Sequence, residues 1–236
     1  MALVVSVMTQ GFSQQGDPKA TEVWEPEPKV VTPGVNGAAP SDAIVLFDGK
    51  DLSKWSDEKG NPSKWTVADG AMTVAKGTGN IKTKQTFGDI QLHIEWRTPG
   101  KVESEGQGRG NSGIFFQEKY ELQVLDSYKN RTYSNGQAGS IYKQTAPLVN
   151  PTKGPGEWQV YDVVYTAPRF NSDGTLKTPG RITAFLNGVL VQNNTEIQGT
   201  TEYIGKPKVV AHEKGSLVLQ DHGNPTSFRN IWVREL

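Results

Sequence analysis

With 236 residues, the chain is long enough for one large all-β domain or two small ones, each with a hydrophobic core. Its 25 basic and 25 acidic residues cancel, so no overall field recruits nucleic acid or an anionic membrane. The absence of cysteine excludes disulfides and thiolate chemistry but leaves the compartment undecided.

The opening MALVVSVMTQGFSQQGD reads as the apolar part and end of a secretory signal, truncated at its charged start, with Gly11 and Ser13 placed for cleavage near Gln14. It predicts a signal segment over 1–16 and a periplasmic or secreted protein, and it is too short to span a membrane. Residues 17–41 are rich in Pro, Glu, Lys and Gly without apolar periodicity, which predicts an exposed linker or tail, dispensable for activity. The folded domain is expected over 42–236.

Within it, Ile44 to Phe47 reads as a short strand, and Lys64 to Val67 with Ala71 to Val74 as a hairpin about Asp69-Gly70. Ile90, Leu92, Ile94 and Trp96 alternate with polar residues in a strand with one dry face. Trp158 to Tyr165 is a further strand. Arg181 to Leu186 and Val189 to Gln192 flank Asn187-Gly188, the strongest short signal for a tight primed turn. Ser216 to Gln220 and Phe228 to Val233 close the chain. Many strands, turn signals between them and no amphipathic helix predict an all-β fold, an antiparallel β-sandwich with Leu122, Val124, Leu217 and Leu219 among its core residues.

The stretch GRGNSGIFFQEKYELQVLD, 108–126, is where a site is expected. Strand alternation sends Tyr120, Leu122 and Val124 to the core and Glu121 and Gln123 outward, while Arg109 and Asn111 stand at the mouth of the preceding strand beside glycines that admit close backbone approach. The plain alternative is a hairpin with a solvated polar face.

The blocks LFDGKDLSKW, FGDIQLHIEWRTP, GNSGIFFQ, YELQVLD, GSIYKQTAP, GEWQVYDVVY, FLNGVLVQ and LVLQDHGNPTSFRNIWVREL, in this order from about Ile44 to the end, resemble the 3-keto-disaccharide hydrolase domain family. The resemblance implies a concanavalin-like jelly roll, a sugar ligand, and a substrate oxidised at carbon 3. A 3-keto group acidifies the proton on carbon 2, so elimination of the carbon 1 substituent followed by hydration needs a base, an acid and a partner for the enolate oxygen. Glu121 and His222 are the candidates for proton transfer, and Arg109 for the oxyanion partner. Asn111, Gln123, Gln220 and Tyr142 are expected to hold hydroxyls, and Glu95 and Arg97 either to join them or to pair with each other.

The segment from Glu121 to Asp126 also looks like the two-carboxylate signature of laminarinase-type enzymes, but Gln123 replaces the middle acid and cannot ionise. A non-catalytic carbohydrate-binding module is the rival from another class. Trp55, Trp65 and Trp158 read as sugar-stacking or core residues. A divalent metal stays open, since Glu121, Asp126, Asp221 and His222 offer ligand atoms without a recognised spacing, and the sequence points to no other cofactor. The expected partner is a small carbohydrate.

Overall fold

The computed structural model describes residues 16–236, so the expected signal segment lies, but for Gly16, outside the described residues. Residues up to Val31 and residues from Thr32 onward form two separate compact units. The first carries a single turn of 3-10 helix, Pro18–Thr21, whose Lys19 N–H donates to the Asp17 carboxylate at 3.0 Å. The second holds all the strands. It takes in part of the stretch expected as a tail: the Gly37 carbonyl accepts hydrogen bonds from Trp232 Nε1 and Asn230 Nδ2, both at 2.9 Å, which tie this segment to the closing strand.

The strands are β1 (Ile44–Phe47), β2 (Trp55–Asp57), β3 (Thr66–Ala68), β4 (Ala71–Thr73), β5 (Ile81–Phe87), β6 (Ile90–Arg97), β7 (Asn111–Phe116) and β8 (Tyr120–Leu125). They continue as β9 (Gln159–Thr166), β10 (Arg169–Phe170), β11 (Leu176–Thr178), β12 (Arg181–Leu186), β13 (Val189–Glu196), β14 (Gly215–Leu219) and β15 (Ser227–Glu235). One sheet runs β13-β12-β9-β6-β15-β4-β3, with β1 also paired to β15; the other runs β2-β5-β14-β7-β8. All pairings are antiparallel, and no α-helix occurs among the described residues. The fold is the expected all-β, antiparallel β-sandwich.

Period-two alternation builds the core. Ile90, Leu92, Ile94 and Trp96 from β6 meet Leu122 and Val124 from β8 and Leu217 and Leu219 from β14, each at 2% exposure or less. The β12–β13 hairpin closes as its sequence demands: Asn187 and Gly188 take φ of 52° and 78°, matching a primed turn, and Leu186 pairs with Val189. The strand β5 escapes sequence reading because its middle, Lys84 to Thr86, is exposed while Ile81, Thr83 and Phe87 are buried, so alternation is broken. Trp55 and Trp65 are core residues. Trp158 packs against two guanidinium groups, with Arg229 at 4.1 Å and Arg97 at 4.7 Å from its ring centroid.

Candidate active site

The outer face of the five-stranded sheet carries the site. In β7 the side chains of Asn111, Gly113 and Phe115 alternate with core-facing Ser112, Ile114 and Phe116, and in β8 Glu121 and Gln123 alternate with Leu122 and Val124. Register then aligns them in rows: Gly113 opposes Gln123 and Phe115 opposes Glu121, while the Gln220 N–H donates to the Gly113 carbonyl at 3.0 Å. This polar face points away from the core, yet it is not solvated, with Glu121 at 4% and Gln123 at 1% exposure.

Two connecting segments bury it. Residues 139–142 run along the open edge of β8, where Gln123 N–H donates to Ser140 O (3.0 Å), Gly139 N–H to Gln123 O (3.1 Å) and Tyr142 N–H to Glu121 O (3.1 Å). A second edge donor, Glu121 N–H, goes to Thr201 Oγ1 at 3.0 Å. Edge donors that would otherwise face water are thereby used to hold two loops over the sheet. The result is a cavity of about 450 Å³ lined by Asn111, Phe115, Glu121, Gln123, Tyr142, Thr201, Tyr203, Gln220 and His222, within the range of roughly 300–1,000 Å³ common for small-ligand sites.

Glycine at 113 makes room for the acid. A Cβ there would sit 2.3 Å from Glu121 Oε1 and 2.9 Å from the Phe115 ring. The Gln123 amide, with its NH₂ group turned to the Ser112 carbonyl and to Glu121 Oε1, makes both contacts at 3.1 Å. No Lys or Arg among the described residues lines this cavity, and burial pushes the Glu121 pKa up from 4.5 to about 8, so it holds its proton at neutral pH. Tyr142 is raised by burial and by the 2.6 Å bond between its hydroxyl and that of Tyr133. The Gln220 Oε1 atom is buried without a hydrogen-bond partner, a cost that a ligand hydroxyl would relieve. His222 is exposed at the rim, and its ring makes no hydrogen bond to the other described residues.

Three expected members stand elsewhere. Arg109 is corrected: its Nε donates to Asp126 Oδ2 at 2.7 Å, away from the cavity lining. The hairpin imposes this, because Asn111 pairs with Leu125 and Asp126 N–H donates to Gly110 O, which brings the residue before β7 beside the residue after β8. Glu95 and Arg97 belong to the other sheet and do not pair with each other. Glu95 meets its cross-strand neighbour Arg229 (Oε2 to Nε, 2.6 Å) and Asn230 (2.9 Å) instead, since register puts Glu95 opposite Arg229. Of the residues open to a metal, Asp126 is engaged by Arg109, and Asp221 accepts backbone N–H bonds from Gly79 (3.1 Å) and Gly223 (2.9 Å). No group of three or more His, Asp or Glu suited to a metal occurs among the described residues. Phe115, Thr201 and Tyr203 were not legible as site residues. Phe115 alone had a signal, its place on the same strand face as Asn111.

An antiparallel sandwich with a polar pocket on one sheet, holding one acid, several amides and two tyrosines, presents a small-ligand type of site. The chain belongs to the 3-keto-alpha-glucoside-1,2-lyase-like domain family, which matches residues 42–234. It is 24% identical over 243 residues to the 3-keto-disaccharide hydrolase of Bacteroides thetaiotaomicron, covering 82% of this chain and 78% of that one. Among solved structures, a candidate glycosyl hydrolase of Parabacteroides distasonis ATCC 8503 is 54% identical, with a TM-score of 0.91, covering 97% of this chain and 100% of that one. A second candidate glycosyl hydrolase from that organism, at 23% identity and TM-score 0.59 over 83% and 94%, shares the fold. The family and these relatives make the chain a glycosidase-type enzyme.

Proposed function

We propose that the protein cleaves glycosides already oxidised at carbon 3, by elimination followed by addition of water. The observation that carries this reading is the single carboxyl of the pocket: Glu121 lines it, and no second carboxylate among the described residues does. Conventional glycoside hydrolysis needs two, about 5 to 9.5 Å apart depending on stereochemistry, and the neighbouring Asp126 is spent on Arg109. A 3-keto sugar removes that need. A base takes the carbon 2 proton to give the enolate, whose electron pair then forms the second bond between carbons 1 and 2 as the carbon 1–oxygen bond breaks and the leaving oxygen takes a proton from an acid; water then adds across the new double bond. His222, with its free ring at the rim, serves as the base, and Glu121, which keeps its proton at neutral pH, as the acid. The amide of Asn111 and the hydroxyl of Tyr142 take the place first given to Arg109 at the keto oxygen, and Gln220 Oε1 accepts a sugar hydroxyl.

The test is incubation with matched glucosides and 3-keto-glucosides in deuterated water. Cleavage of the ketones alone, with solvent deuterium appearing at carbon 2, is the expected result, and His222→Ala should slow that exchange by about a hundredfold. Full retention of the original proton would overturn the elimination, and binding of intact glycans without turnover of either sugar would make the domain a binding module. Rates should fall as pH rises through about 8, where Glu121 loses the proton it donates. The apolar-then-polar opening supports action outside the cytoplasm, tested by locating the mature chain in periplasmic and medium fractions.

A further inference from the structure

The connection between β13 and β14 carries an aromatic residue left in water. Its base is fixed, with Thr200 N–H donating to Lys208 O and Thr201 N–H to Lys119 O, both at 2.9 Å, and Thr201 Oγ1 taking the Glu121 amide. Beyond that base Tyr203 is 73% exposed while its side of the loop lines the cavity. A large ring on an anchored loop, open to solvent at the mouth of a polar pocket, is a costly surface unless a ligand covers it.

Lys143 holds that ring in place. Its backbone adopts φ of +57°, a conformation uncommon for a residue with a long side chain, and its N–H donates to Asn135 O at 2.7 Å. The ammonium donates to the Tyr203 carbonyl and lies 4.3 Å from the Tyr203 ring centroid. It also stands 5.8 and 5.9 Å from the rings of Tyr133 and Tyr142, whose hydroxyls are bonded to each other. One cation thus gathers three tyrosines from two separate segments along one side of the pocket.

We propose that Tyr203 is the stacking platform of a second sugar subsite, which receives the pyranose that leaves when the oxidised sugar beside Glu121 is released, and that Lys143 is its positioning residue. The substrate is then a disaccharide or longer glycoside rather than one with a small alcohol as its leaving group. The apolar C–H face of a pyranose lies on the ring, and the Tyr133 hydroxyl, bonded to that of Tyr142, meets its polar edge. This rests on the cleavage reading given above.

The experiment compares a 3-keto-disaccharide with the corresponding methyl 3-keto-glucoside in the full chain. Tyr203→Ala should raise KM for the disaccharide about three- to tenfold more than for the methyl glycoside, with kcat moving less than KM. Lys143→Met should give a smaller rise of the same kind, and Lys143→Arg, which keeps a cation for the rings, should restore it. Equal changes for both substrates, or none for either, overturn the subsite. If the parent protein cleaves neither ketone, the cleavage reading itself fails, and calorimetric titration with the same two sugars decides the subsite: affinity lost by Tyr203→Ala for the disaccharide alone supports it, and equal or no loss overturns it.

Discussion

Glu95 and Glu121 are two largely buried glutamates on strands of opposite sheets, and their surroundings drive them apart. Burial acts to raise both. At Glu95 it is outweighed by the Asn230 amide, the Arg229 guanidinium and the charge of that guanidinium, so its pKa ends below the ordinary 4.5. Around it His93 bonds Asp162 at 2.6 Å and stacks on Trp232 with ring centroids 5.1 Å apart, while Gly37 O closes the network from above. Among the described residues Glu121 meets the neutral Gln123 amide and no cation, and its pKa rises to about 8. A fully paired carboxylate is a structural part, whereas an underpaired carboxylic acid in a cavity is available for proton transfer. The same residue type on the same kind of strand serves two ends because its partners differ.

The largest effect that sharpens the contrast is on catalysis. Glu121→Gln should lower turnover by about a hundredfold or more, as expected when a general acid is lost. It should also stabilise the fold in alkaline solution. A carboxyl whose folded pKa lies above its unfolded value contributes stability below about 4.5 that is lost as pH rises through about 8, so melting curves of parent and variant should separate increasingly across that interval. A variant no more stable than the parent at pH 9 would show that Glu121 has a cationic partner after all.

Arg109→Met tests the corrected role of Arg109. Leaving Asp126 buried and unpaired should cost about 3–5 kcal/mol, and replacing both members of the pair with apolar residues should recover much of that. Purified folded variant should keep the parent kcat; a large drop in kcat with unchanged stability would return Arg109 to the chemistry. Gly113→Ala is a finer probe, since the added methyl group overlaps the Glu121 carboxyl. Overpacking of about 1–3 kcal/mol is expected, with reduced turnover and an altered upper limb of the pH profile as the carboxyl is displaced.

The smallest effect belongs to Glu95→Gln. Activity should be retained, while about 1–3 kcal/mol of stability is lost at neutral pH because Arg229 keeps only a neutral partner. The loss should fade in acid, since a carboxylate with a lowered folded pKa contributes stability above its unfolded value that vanishes as pH falls through the folded one. Loss of turnover without loss of stability would reverse the assignment of the two glutamates.

Local pattern determined the sandwich. The inward rows of β6, β8 and β14, the Asn187-Gly188 turn and the separation of Glu121 from Leu122 all follow from period two and turn chemistry, which act over a few residues. The same pattern grouped Glu121, Gln123 and Asn111, because hairpin register is short-range, and Arg109 beside Asp126 is a consequence of that register that could also have been reached. Tertiary structure alone decided that the outward polar face is buried, that Thr201 and Tyr203 come to it from a distant segment, and that Glu95 prefers Arg229 to Arg97. Each depends on which strand lies beside which and on loops docking at a sheet edge, long-range pairings that the residues on a single strand do not encode.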